Sequence, residues 1–215
     1  GVTPKPTTPS NVAKRVRFTI GDVEAGFKAA DVIVDQRYTT APVHQAYIEP
    51  HACVAVWGAD QQCTVIASSQ GHFMIRSYCA KLLGIDISNI RVVAAEIGGG
   101  FGGKTLVYLE PLALALSRKS GRPVKMVMTR EEVFRATGPT SGAVIEVKIG
   151  ATKDGKITAA QAVMKYQAGA FPGSPINPGL MCAFAQYDLA NVDVLGYDVV
   201  SNRPKVAAYR APGAP

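Results

Sequence analysis

The sequence has no uninterrupted apolar run of about 18 residues, so no stretch of it reads as a membrane-spanning helix. It has no Cys-x-x-Cys pair. Cys53, Cys63, Cys79 and Cys182 are scattered, and so are the three histidines, His44, His51 and His72. Structural zinc sites and iron–sulfur clusters need closely spaced thiolates, so no metal centre built from these residues is expected. Aromatic residues make up only 7% of the chain, and no basic run interleaves with them. Nucleic acid is therefore not an expected partner, nor is a membrane. Glycine and proline are plentiful, at 21 and 14, but they follow no period, which excludes collagen. Residues 1–10 are rich in proline and threonine and carry no apolar stretch, so they do not read as a signal peptide. Together with four unpaired cysteines this predicts a reducing, cytoplasmic location.

What is present is a chain of 215 residues that is 47% apolar, enough for a real core. At about 150 residues per domain the length suggests one domain or slightly more. The first residue is Gly1 and the last, Pro215, follows directly on a motif-like run, which suggests a piece of a longer polypeptide. The formal charge of +7 is uneven. Up to Glu110 there are ten basic and nine acidic residues; beyond it there are thirteen and seven. Arg118, Lys119, Arg122, Lys125 and Arg130 cluster around an expected helix end. Cations at a helix C-terminus and a solvated face explain such a cluster; an electropositive patch for phosphate or a partner chain is the other reading.

Residues 1–14 read as a linker, and 15–215 as one portion of a domain. Alternation of polar and apolar residues predicts strands at 15–20, 30–40, 52–57 and 63–67. One or two helical turns are expected at 22–30. Helical spacing predicts a helix over 72–83, stopped by Gly84. A strand follows at 89–97, then a glycine loop. An apolar helix is expected over 106–120, with Pro111 kinking it or marking its true start. A strand at 123–129 precedes a β-rich remainder. That remainder has strands at 143–151 and 157–167 around the turn Lys153-Asp154-Gly155-Lys156, a loop over 171–178, and two last strands at 192–201 and 205–210. The class is α+β, with mixed strands and hairpins and two main helices.

The densest signal is Gly98-Gly99-Gly100-Phe101-Gly102-Gly103-Lys104-Thr105. Five glycines in six positions let a backbone approach a ligand closely and aim N–H groups at anionic oxygens. The string fits the phosphate-loop spacing, Gly98 then Gly103-Lys104-Thr105, and also the dinucleotide pattern Gly98-x-Gly100-x-x-Gly103. The supporting parts are poor: no convincing Asp at a second strand end, and no βαβ series after Glu131 and Glu132. A phosphate-loop nucleotide-binding protein using residues 98–105 remains the alternative.

Four segments in the same order carry a resemblance. GGGFGGK at 98–104 closely resembles the glycine loop of the molybdenum hydroxylases, the family of xanthine dehydrogenase, aldehyde oxidase and aerobic carbon monoxide dehydrogenase. Tyr47-Ile48-Glu49-Pro50-His51-Ala52 resembles the family's EP(H/R) segment. Ser68-Ser69-Gln70 before a helix resembles its (T/S)Q segment. Ala207-Ala208-Tyr209-Arg210-Ala211-Pro212-Gly213-Ala214-Pro215 resembles its FRGxGxPQ segment. A GDV stretch at 21–27 matches as well. The likeness runs from about Ile20 to Pro215 and covers the first part of the family's molybdopterin-binding region, itself part of a larger domain.

The resemblance implies an oxidoreductase that hydroxylates a carbon with oxygen from water. Molybdenum would be held by a molybdopterin, in bacteria often the cytosine dinucleotide form, with no metal ligand from this chain. Electrons would pass to iron–sulfur and FAD centres on partner domains or subunits. Gln70 would offer its amide to an oxygen on molybdenum; capping the next helix is its other reading. Gly99, Gly100, Phe101 and Gly102 would pass under the cofactor with their N–H groups toward it, although Phe101 could instead anchor the loop in the core. Arg210 would sit near the pterin or its phosphates, or by its backbone near molybdenum, or else form a surface salt bridge.

Departures restrict the substrate. Thr105 stands where purine oxidisers carry glutamate, and Pro178 and Pro212 stand where they carry an arginine and an aromatic residue. Ala211 stands where carbon monoxide oxidisers carry cysteine. Aldehydes or N-heteroaromatic substrates remain. No catalytic base is expected within these residues: Glu49 and Glu96 read as structural, and the family's general-base glutamate would lie downstream in the missing C-terminal part. The fragment alone should then turn over nothing.

Overall fold

A computed structural model describes residues 9–212. It resolves into two compact units. Among the described residues, one comprises 9–43, 140–206 and 211–212, the other 44–139 and 207–210.

The first unit is built on a five-stranded sheet in the order β1-β9-β8-β7-β2. Its strands are β1 (Val12–Ile20), β2 (Val32–Thr40), β7 (Ala143–Ala151), β8 (Ile157–Gly169) and β9 (Val192–Val200). β7 and β8 form the expected hairpin, and β8 and β9 run parallel. The helices α1 (Val23–Lys28) and α5 (Ile176–Cys182) pack on it. Asp22 caps α1 by accepting from the N–H of Ala25 at 3.0 Å. The core gathers Ala162, Met164, Tyr166, Ile176, Val192 and Val194.

The second unit has a four-stranded sheet in the order β5-β4-β3-β6. Its strands are β3 (Ala52–Trp57), β4 (Cys63–Ala67), β5 (Ile90–Ala94) and β6 (Val124–Val127). α2 (His72–Leu83) links β4 to the parallel β5, as parallel pairing requires. α2 and α3 (Glu110–Ser120) pack on the sheet. Alternate residues of β3 and β4 point inward, so Cys53, Ala55, Cys63, Val65 and Ala67 meet Ile75, Cys79, Ala113 and Leu114. α4 (Arg130–Ala136) begins with a capping box between Thr129 and Glu132.

Several expectations shift. The linker expected over 1–14 ends sooner, because β1 starts at Val12 and pairs with β9; residues 1–8 lie outside the described residues. α3 starts at Glu110 rather than at 106: Pro111 sits in its first turn, where a missing N–H costs nothing. α5 occupies the end of the loop expected over 171–178. Pro178 is tolerated there because it too lies in the first turn. α4 was not expected from the sequence pattern. No strand forms over 205–210, where Val206 and Ala207 make single bonds to the carbonyls of Ala168 and Pro139 and no ladder. Among the described residues no helix is long and apolar enough to cross a membrane.

Candidate cofactor site in the glycine loop

All the residues of the glycine loop lie in the second unit, between the end of β5 and α3. The loop is folded by its own backbone. The N–H of Gly103 donates to the carbonyl of Gly100 at 2.8 Å, and Phe101 and Gly102 take left-handed φ values of 50° and 94°. Phe101 is a side chain held where glycine is at ease.

Gln70 fixes the loop from the side. It follows β4 and stands just before Gly71, the N-cap of α2. Its Oε1 accepts from the N–H of Gly102 at 2.9 Å and of Lys104 at 3.3 Å. Its own N–H donates to the carbonyl of Lys104 at 2.9 Å. A Cβ on Gly100 would come within 2.4 Å of that Oε1, so this glycine is required by the approach of Gln70 itself. With Oε1 committed to two donors, the orientation of the amide is set and Nε2 is left to donate. Gln70 does not cap α2, whose N-cap shows no side-chain bond.

A single carboxylate joins the two ends of the loop. Glu49 Oε2 accepts from the N–H of Gly98 at 2.8 Å and from Lys104 Nζ at 2.5 Å. The Lys104 side chain is 0% exposed. Its ammonium also donates to the Pro50 carbonyl and Ser68 Oγ, both at 3.4 Å, and lies 5.1 Å from the centre of the Tyr47 ring. Burial pushes the Glu49 carboxyl up, but the bonds from Lys104 and Gly98 outweigh it and hold it below the usual range.

Behind the loop runs a buried polar chain. The Thr137 hydroxyl donates to the Val133 carbonyl at 2.6 Å, so it accepts from His44 Nε2 at 2.7 Å. His44 Nδ1 accepts from the N–H of Ala46 at 3.0 Å, which gives a neutral Nε2–H tautomer. The Tyr47 hydroxyl meets His51 Nε2 at 2.6 Å. Burial, aided by the nearby Lys104 charge, lowers the His51 pKa to about 4. Burial also lowers that of His44.

Residues 207–210 are brought to the same place. Gln45 Nε2 donates to the Ala208 carbonyl at 2.7 Å, and a Cβ on Gly102 would meet that carbonyl oxygen at 2.7 Å. Arg210 is exposed and forms no salt bridge among the described residues. Phe101 is 46% exposed and is no core anchor. The N–H groups of Gly99, Gly100 and Phe101 have no protein partner among the described residues, whereas that of Gly102 is taken by Gln70. Gln45 carries no signal in the sequence that would have marked it. Glu49 was legible only as a carboxylate beside a motif.

The phosphate-loop alternative fails on this geometry. Its lysine must reach a ligand, but Lys104 is buried on Glu49; its threonine hydroxyl donates to the Gly102 carbonyl at 2.8 Å. No helix follows directly, since α3 begins only at Glu110. The basic cluster is partly spent within the chain. The Arg118 guanidinium lies 4.8 Å from the Trp57 ring centre, and Arg130 Nη2 donates to the Ile48 carbonyl at 2.5 Å.

A family profile described as "Molybdopterin cofactor-binding domain" matches residues 4–215. The chain belongs to this family. It is 32% identical over 209 residues to the nicotinate dehydrogenase large molybdopterin subunit of Eubacterium barkeri, covering 96% of this chain and 49% of that one. It is 32% identical over 195 residues to the aldehyde oxidoreductase molybdenum-binding subunit of Escherichia coli (strain K12), covering 90% of this chain and 26% of that one. The aldehyde oxidoreductase of Desulfovibrio gigas superposes with a TM-score of 0.86 at 27% identity, over 97% of this chain and 23% of that one. The chain thus spans about half or less of the length of these relatives. The α+β architecture is that of their molybdopterin-binding domains.

The available donors suit such a cofactor. Three unpaired backbone N–H groups and one primary amide favour an oxygen-rich, anionic group. Among the described residues no group of three or more His, Cys, Asp or Glu could ligate a metal directly.

Proposed function

We propose that this chain supplies one wall of the molybdopterin site of a hydroxylating oxidoreductase. The observation that carries the proposal is the locked Gln70 amide. Its Oε1 is held by the N–H groups of Gly102 and Lys104, which leaves its Nε2 to donate, and the N–H groups of Gly99, Gly100 and Phe101 have no partner among the described residues. Gln70 would direct that donor to an oxygen on molybdenum, and the three backbone N–H groups would face the cofactor. Arg210, exposed on the segment that meets the loop, would approach the pterin or its phosphates. When bound, the cofactor would supply a two-electron acceptor that transfers water-derived oxygen to a carbon.

The cytosine dinucleotide form is proposed because the relatives described above are bacterial. Partner iron–sulfur and FAD domains or subunits would take the electrons. Aldehydes and N-heteroaromatic compounds are the proposed substrates. The names of the relatives include both classes, and Thr105 turns its hydroxyl to the loop. The general base would come from the missing C-terminal part, so the fragment alone would be inactive. A cytoplasmic location is proposed from the four cysteines, all free.

The full-length protein purified from its host should contain molybdenum and yield a fluorescent oxidised pterin. Gln70→Leu should reduce turnover of nicotinate or benzaldehyde at least tenfold. An active preparation lacking both molybdenum and pterin would overturn the proposal.

A further inference from the structure

The geometry points to Glu49 and Lys104 as a charge lock that positions the glycine loop for its cofactor. This inference rests on the cofactor reading above, but its local part can be tested without it. Lysine in a glycine loop ordinarily suggests a cation offered to a ligand. Here the ammonium faces inward, fully buried, and its one anionic partner is Glu49 Oε2. The same oxygen accepts from the N–H of Gly98. Gly98 opens the loop and Lys104 closes it, so one atom fastens both ends. The Glu49 backbone adds a third tie, its N–H donating to the Gly98 carbonyl at 3.1 Å.

Between these anchors lie Gly99, Gly100 and Phe101, whose N–H groups have no partner among the described residues. Glycine-rich backbone has more conformational freedom than any other, and ordering it is costly. A loop whose ends are pinned presents its N–H groups already in place. Gln70 holds only the second half of the loop, at Gly102 and Lys104. The first half depends on Glu49. Lys104 fixes the Glu49 carboxylate, and so acts on the cofactor through it. Both are positioning residues.

The test uses the full-length protein. Molybdenum and pterin per polypeptide are measured together with amide hydrogen exchange of peptides covering 96–106 and, as a reference for the fold, 52–67. Lys104→Met should speed exchange of the loop peptide at least tenfold, leave the 52–67 peptide unchanged, and lower cofactor content at least fivefold. A structural role alone would move both peptides together. Unchanged loop exchange with full cofactor content overturns the lock. If Lys104→Met does not fold, the double variant Glu49→Gln with Lys104→Met decides, because it leaves no buried charge unpaired. It should show the same loop-specific acceleration, and wild-type exchange there also overturns the lock. A parent protein without molybdenum or pterin would instead defeat the cofactor reading, and the exchange data would still decide whether the pair holds the loop.

Discussion

Each of the two units contains an ion pair that joins residues far apart in sequence, and the two pairs differ in which partner is exposed. In the first unit Arg17 meets Asp193 in a forked pair, Nε to Oδ1 at 2.8 Å and Nη2 to Oδ2 at 2.9 Å. The Arg17 side chain is 55% exposed and that of Asp193 13%. In the second unit the Lys104 side chain is 0% exposed and that of its partner Glu49 34%. The forked pair has the better geometry of the two, yet water solvates its cation and can replace the carboxylate. The buried ammonium has no such substitute. Its partners are one carboxylate, one carbonyl, one hydroxyl and an aromatic face. Burial therefore makes the loop pair a matter of the cation, since Lys104 depends on its carboxylate, whereas in the sheet pair the buried member is Asp193 and Arg17 is the one that water can serve.

The largest effect should follow from breaking the buried pair on its carboxylate side. Glu49→Ala leaves the Lys104 ammonium buried without a counter-charge, a situation that costs about 3–5 kcal/mol. It also removes the acceptor for the N–H of Gly98. Chemical denaturation of the full-length protein, followed by hydrogen exchange in peptides from β3 and β4, should show the loss in the second unit for Glu49→Ala, which strands a buried ammonium, but not for Lys104→Met, which leaves only the partly exposed carboxylate unpaired. A loss below about 1 kcal/mol would mean that water reaches Lys104, and the contrast between the two pairs would collapse.

Acid should separate the units next. His51 is pushed down from 6.5 to about 4, by burial first and then by Lys104. Its native form stays neutral while the unfolded chain takes up a proton. Stability of the second unit is therefore complete above pH 6.5, falls between 6.5 and about 4, and levels off below. The span corresponds to about 3 kcal/mol. His44, lowered by burial and by Arg130, acts in the same direction. Asp193 behaves otherwise. The Arg17 bond lowers its pKa, so its contribution persists until pH falls below the ordinary aspartate range. Denaturation at pH 7 and pH 5, read by exchange peptides from each unit, should weaken the second and spare the first. Equal weakening of both would remove His51 as the cause.

How much of this was legible in the sequence depends on range. α2 and its Gly84 stop, the hairpin β7–β8, and the strands β3 and β4 follow from local periodicity and turn residues, and they stand where expected. α4 and α5 did not. α4 is short, and its capping box lies in a run without helical apolar spacing; α5 hides behind Pro175 and Pro178. At the site, Gln70 and the glycines were visible as motifs. The direction of Lys104 was not, because a Gly-Lys-Thr string has the same spacing whether its lysine faces a ligand or the core. Only the carboxylate brought in from Glu49 decides it. The glycines likewise allow two explanations, and the close approach of Gln70 to Gly100 and of Ala208 to Gly102 favours packing within the protein. Long-range partners of this kind are invisible to spacing.

The smallest effect should come from removing the exposed cation of the sheet pair. Arg17→Ala removes both forked bonds, but Asp193 keeps the Gln161 amide at 3.2 Å, and β1 keeps its ladder with β9. With more than half of the Arg17 side chain in water, the change should shift thermal unfolding of the first unit by no more than about 2 °C. Raising the salt to about 1 M should shrink the difference between wild type and variant further, since exposed charges are screened over a few ångströms there. A shift as large as that of Glu49→Ala, or one indifferent to salt, would show that forked geometry rather than burial sets the worth of these pairs. The buried lysine would then owe its place to packing against Tyr47 and not to its charge.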